Sequence, residues 1–141
     1  MNKKNGFLII ETLLSSALLG IIVVVCVGSI IYSQQSAVAA GNMSRAVFLA
    51  QAGIEAVRNI RDESFYNLQD GTYGLFISET GNKWILTGNS DVTDGFVRQI
   101  EISSIDSNKK LITSTVTWQE TPTSPYSREV VFTTELTNWK Q

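Results

Sequence analysis

From Thr12 to Ser44 the chain carries no charged residue, and this run restricts the possible folds more than any other feature. Its core, Thr12 to Ile31, has 20 residues, about the number a helix needs to cross a bilayer. Ile21 to Val25 is wholly β-branched and would suit a strand in water. In lipid an isolated strand leaves its backbone unpaired, so the stretch is predicted to be helical. Gly20 and Gly28 punctuate it, where glycine permits local loosening or close approach of another helix. Ser15, Ser16 and Ser29 are tolerated there because a hydroxyl can bond back to a helix carbonyl.

What precedes the run is basic and short. Lys3 and Lys4 favour a cytoplasmic N-terminus and a translocated C-terminus. Gly6 and Phe7 follow, and then Glu11, a lone carboxylate at the head of the apolar segment. A secretory signal is a rival reading, since Ala37-Val38-Ala39 offers a small-residue cleavage pattern. The apolar stretch is about twice the length of a signal h-region and begins with an acid, which argues against it.

Beyond Ser33 the sequence remains helical without a proline. Ala40, Met43, Val47, Ala50, Ile54 and Val57 recur at spacings of three and four, which places one apolar stripe on a helix. Arg45, Gln51, Glu55 and Arg58 fall off it, and a stop is expected at Asp62-Glu63-Ser64. Phe7 to about Arg61 is then one helix of about 55 residues, or about 80 Å. From Asn67 onward the pattern changes to period two. Strands are expected at 73–78, 83–87, 96–105, 110–119 and 128–137, with Ile100, Ile102, Ile112, Val116, Trp118, Val130, Phe132 and Leu136 on one face. Such alternation predicts an antiparallel sheet solvated on one side. The helical stripe is the available cover. The expected fold is α+β, a long N-terminal helix whose second half packs on a sheet of four or five strands.

Little in the chain suggests catalysis. It has no histidine, the commonest general base and metal ligand. Its single cysteine, Cys26, lies in the apolar run and reads as a small buried hydrophobe. No nucleophile–base pair, P-loop or glycine-rich nucleotide turn is present, so neither an enzyme nor a cofactor or metal site is expected. Residues 89–95 partly imitate an oxygen-rich calcium loop, but an Asx- and Gly-rich turn explains them better. Lys109 and Lys110 at a hairpin tip, in a chain of net charge −2, make a poor nucleic-acid footprint. Asn42-Met43-Ser44 matches a glycosylation sequon on the predicted helix. Pro122 and Pro125 mark a loop.

Glu11 remains. Cutting between Gly6 and Phe7 would expose a cationic amine four residues from the carboxylate. In lipid or a helix bundle an unpaired carboxylate is costly, so that amine, its own or a neighbour's, could pair with it. Equally, Glu11 could be a helix-entry acid held by the dipole of the helix N-terminus. Spacing alone leaves these even.

The stretch Lys3-Lys4-Asn5-Gly6-Phe7-Leu8-Ile9-Ile10-Glu11 resembles the leader and start of type IV prepilins and the pseudopilins of type II secretion. Gln51 to Asp62 looks like a stretch found in minor-pilin-like members. Gly28 stands where major pilins frequently carry a proline, and the terminal disulfide of many major pilins is missing. The resemblance implies a division into a leader at 1–6, a transmembrane and polymerisation half-helix at 7–32, an amphipathic half-helix at 33–62 and a β-sheet head at 63–141. It implies cleavage between Gly6 and Phe7 by a prepilin peptidase, methylation of Phe7, and Glu11 as the assembly residue. The implied partners are that peptidase/methyltransferase, other pilin or pseudopilin subunits, an inner-membrane assembly platform and the lipid bilayer. The implied location is the cytoplasmic membrane with the C-terminus outside, then a pilus or pseudopilus. An uncleaved, single-pass anchored binding module is the alternative.

Overall fold

A computed structural model describes residues 4–79, 81–120 and 126–139, with side chains from Leu8 onward. One helix, α1 (Lys4–Glu63), is followed by a 3-10 turn (Phe65–Asn67). Six strands come next: β1 (Gly71–Ile77), β2 (Trp84–Thr87), β3 (Asp91–Thr93), β4 (Phe96–Asp106), β5 (Lys109–Gln119) and β6 (Ser127–Thr137). All pairings are antiparallel, in the order β2-β1-β4-β5-β6, with β3 added beside the start of β4. The fold is therefore α+β, with helix on sheet. By contacts the chain forms two compact units, Met1–Ala40 and Gly41–Gln141.

The five strands read from periodicity are β1, β2, β4, β5 and β6. The sixth, β3, occupies the stretch that imitates a calcium loop. It is three residues long, too short for alternation to register. Asp94 and Gly95, both with positive φ, turn the chain directly from β3 into β4. The β4–β5 hairpin closes on Ser107 and Asn108, where the Asn108 N–H donates to the Asp106 carboxylate at 2.8 Å. A register shift between Ser104 and Asp106 precedes that turn.

Period two is expressed as one buried face. Phe96, Arg98, Ile100 and Ile102 of β4 are buried, and Val97, Gln99, Glu101 and Ser103 are exposed. Ile112, Ser114, Val116 and Trp118 of β5 continue the inner layer, with Val130 and Leu136 from β6. The helix covers this face with Ala46, Ala50, Gly53, Ile54, Ala56, Val57 and Ile60. One apolar cluster joins Ile54, Val57 and Ile60 to Ile100, Ile102 and Ile112; another joins Ala46 and Ala50 to Phe96, Val116 and Trp118. The expected stripe is thus corrected at its N-terminal end. Ala40 and Met43 are exposed, and the covering surface starts at Ala46. Spacing of three and four continues past the packed turns, so periodicity alone does not locate where contact with the sheet begins.

Two glycines set close approaches. A Cβ on Gly53 would lie 2.6 Å from Ser114 Oγ, 3.1 Å from Ile100 Cδ1 and 3.2 Å from Arg98 Cδ. A Cβ on Gly74 would meet the Ser90 carbonyl oxygen at 2.6 Å. Gly74 thereby lets the segment before β3 lie directly on β1. There the Leu75 N–H donates to Asp91 Oδ1 at 2.9 Å.

The same carboxylate receives Arg98. Arg98 Nε donates to Asp91 Oδ1 at 3.2 Å and Nη2 to Oδ2 at 2.9 Å, and both side chains are at most 8% exposed. Arg98 Nη1 also reaches the Leu49 carbonyl of α1 at 3.3 Å. This fork joins β3, β1, β4 and the helix. A guanidinium's planar donors suit that geometry, and burial is tolerable because the charges satisfy each other and the backbone.

Candidate functional site

The residues singled out in the sequence lie at the start of α1. Lys3 falls outside the described residues, as do the side chains of Lys4 and Phe7; the backbone from Lys4 through Gly6 and Phe7 is helical. Glu11 is the first charged side chain described. It is exposed on the helix, and so are Leu8, Ile9, Ile10, Leu13 and Leu14, each at least 58%. The exposed apolar surface extends through Ile30, Ile31 and Tyr32. This helix is long and apolar enough to cross a membrane, and its apolar window buries nothing within the chain.

Within that surface the polar groups fare unequally. Thr12 Oγ1 donates to the Ile9 carbonyl, Ser16 Oγ to Leu13 and Ser29 Oγ to Val25, each at 2.9 Å. These hydroxyls satisfy themselves against their own helix. Among the described residues, Glu11 has no hydrogen bond or ion pair. A carboxylate needs a partner outside its own turn when water is removed, because the helix backbone offers it no free donors past the first turn. A Cβ at Gly20 or Gly28 would meet no atom within 4 Å, so nothing in the chain itself requires glycine there. Cys26 is a free thiol on the same apolar surface of the helix.

The remaining candidates resolve into ordinary structure. In the stretch 89–95, Asp91 is held by Arg98, and Asp94 pairs with Arg45 at 2.7 Å. Arg45 also lies 5.4 Å over the Phe96 ring. Among the described residues no group of three or more carboxylate or thiol side chains could hold a metal ion. Lys110 Nζ donates to Asp70 Oδ1 and to Ser104 Oγ, both at 2.7 Å. These bonds, with the Ser104 hydroxyl donating at 2.8 Å, hold the Asp70 carboxyl below its ordinary value, with Lys110 the largest cause. Asn42 is half-buried on the helix. Pro122 and Pro125 lie outside the described residues.

Arg98 is not singled out by any sequence motif. It stands at an inward position between Phe96 and Ile100, where the alternation asks for an apolar side chain. A charge at that parity is the one available signal for a buried partner.

Comparison with protein-family models, curated proteins and solved structures finds no match for the chain.

Proposed function

We propose that this chain is a type IV prepilin or pseudopilin, a minor structural subunit of a pilus or secretion pseudopilus. The observation that carries the reading is Glu11, a carboxylate without a partner among the described residues on an exposed apolar helix, four residues past Phe7. A prepilin peptidase acting between Gly6 and Phe7 would create a cationic amine of the complementary sign. In an assembled bundle of such helices, Glu11 of one subunit pairs with the amine at Phe7 of another, and a pairing of this kind fixes axial stagger at low dielectric. Lys3 and Lys4 hold the leader on the cytoplasmic side, and the head is carried outside. The membrane platform and neighbouring subunits are the partners. The role is structural, and the chemistry belongs to the processing enzyme, which also methylates Phe7.

Intact-mass measurement and N-terminal sequencing of the mature protein test this. A chain starting at methylated Phe7 supports it. A chain starting at Met1 overturns it in favour of a permanently anchored module, and one cut after Ala39 in favour of a secretory signal. Glu11→Ala should leave processing intact and reduce filament incorporation by tenfold or more, the effect of losing about 1.4 kcal/mol or more. Undiminished incorporation refutes the pairing.

A further inference from the structure

The C-terminal end of α1 faces the β1–β2 hairpin across two adjoining clefts of about 400 and 370 Å³. Both are lined by Ile60, Glu63, Lys83 and Trp84. Trp84 packs against the core and still lines both clefts, so it forms the shared floor. Tyr66, 84% exposed, stands at the second cleft. Asn59 and Asn82 line the first, and Asn67 and Gln69 the second. None of these four carboxamide side chains has a hydrogen-bond partner among the described residues. The two charges shared by the clefts cancel, because Lys83 Nζ is bonded to Glu63 Oε1.

We infer that this double cleft is a binding site for a neutral oligosaccharide. A carboxamide offers two donors and an acceptor from one planar group. Vicinal hydroxyls of a pyranose offer the same mixture, and a pair of carboxamides flanks the aromatic floor on each side. The C–H face of a pyranose is apolar and flat, which matches an exposed aromatic ring with a polar rim. An anionic ligand gains nothing here, since the one lysine is already paired. A purely apolar ligand would strip water from four amides without replacing it. Two clefts sharing one indole fit adjacent sugar rings, and open clefts of this size suit a ligand bound at its edge. The site lies wholly within the unit Gly41–Gln141 and does not depend on the assembly reading.

The test is calorimetric titration of the full chain, in a detergent without a sugar headgroup, with cellotriose, maltotriose and the N-acetylglucosamine trimer. At least one should bind saturably, with a dissociation constant of about 1 mM or tighter. Tyr66→Ala and Asn59→Ala change exposed side chains and should each weaken binding about fivefold. Trp84→Ala should abolish it. Trp139→Phe, outside the clefts, should leave it unchanged. No saturable binding of any of the three at about 10 mM overturns the assignment. So does binding that is indifferent to both Tyr66→Ala and Asn59→Ala. Binding of an extended peptide along the free edge of β2, with no saccharide bound, also overturns it.

Discussion

Gly53 and Ser114 face each other where the helix crosses the middle of β5. Ser114 Oγ is fully buried without a hydrogen-bond partner among the described residues. Gly53→Ala would set a methyl 2.6 Å from that oxygen, and overpacking of this kind costs about 1–3 kcal/mol. Ser114→Ala removes an unsatisfied hydroxyl and should be neutral or stabilising. Combined, the two should recover part of the Gly53→Ala loss through a coupling above about 0.5 kcal/mol, measurable by denaturant unfolding of all four proteins. The Arg98–Asp91 pair behaves differently. Arg98→Ala strands a buried carboxylate and should cost about 3–5 kcal/mol, whereas replacing both residues by apolar side chains should cost less. A double replacement as damaging as the single one would show that the Leu49 and Leu75 backbone bonds, not the charges, carry the stability. Neither site is fully legible in the sequence. Arg98 betrays itself by parity, but its partner lies on a three-residue strand that no periodicity reveals. Gly53 reads from sequence as a weak point in a helix; only the opposed sheet shows it as a seat.

Among the elements, the long strands are readable because β4, β5 and β6 are 11 residues each, long enough to show several cycles of alternation. The length and stop of α1 are readable too, since an uncharged run, a missing proline and an acidic terminus all bear on the same backbone. The extent of its buried face is not, because the sheet's reach is set by tertiary packing. The Asp70–Ser104–Lys110 cluster ties the approach to β1 to the β4–β5 hairpin and carries a pH dependence. Asp70 has a lowered folded-state value, so its contribution is present above the ordinary carboxylate value of 3.8. It is lost as pH falls through the lower folded value. Lys110→Met removes the largest cause. The wild type should therefore exceed Lys110→Met in melting temperature at neutral pH, and the gap should narrow as pH falls below 3.8 and close below the lowered folded value. A gap that persists there would assign the effect of Lys110 to packing of its stem.

At the scale of the whole chain, the unit Gly41–Gln141 holds every residue of both buried clusters. Residues 41–141 expressed alone should be water-soluble, rich in β structure by circular dichroism, and should unfold in one cooperative transition. The full 141-residue chain should need detergent, because its exposed apolar helix has no cover among the described residues. Failure of 41–141 to fold would mean that the preceding helix stabilises the head in a way its contacts do not reveal. The identity of the candidate site is legible at this scale only as a spacing, Gly6-Phe7 and then Glu11. In the assembly reading proposed above, the group that completes it is the amine at Phe7 of a neighbouring subunit.

The helical face laid on the sheet is built largely from Ala46, Ala50, Gly53 and Ala56. Along those small side chains the seam is smooth, and the larger knobs are confined to Ile54, Val57 and Ile60. A slip of one turn, about 5.4 Å, would bring Ala50, Ala56 or Val57 over Ser114, where even a Cβ does not fit. Gly53 therefore serves as an index notch, and the Arg98 bond to the Leu49 carbonyl as its pawl. A sheet mounted this way resists creeping under a pull along its helix, because a one-turn slip would overpack Ser114 at a cost of about 1–3 kcal/mol.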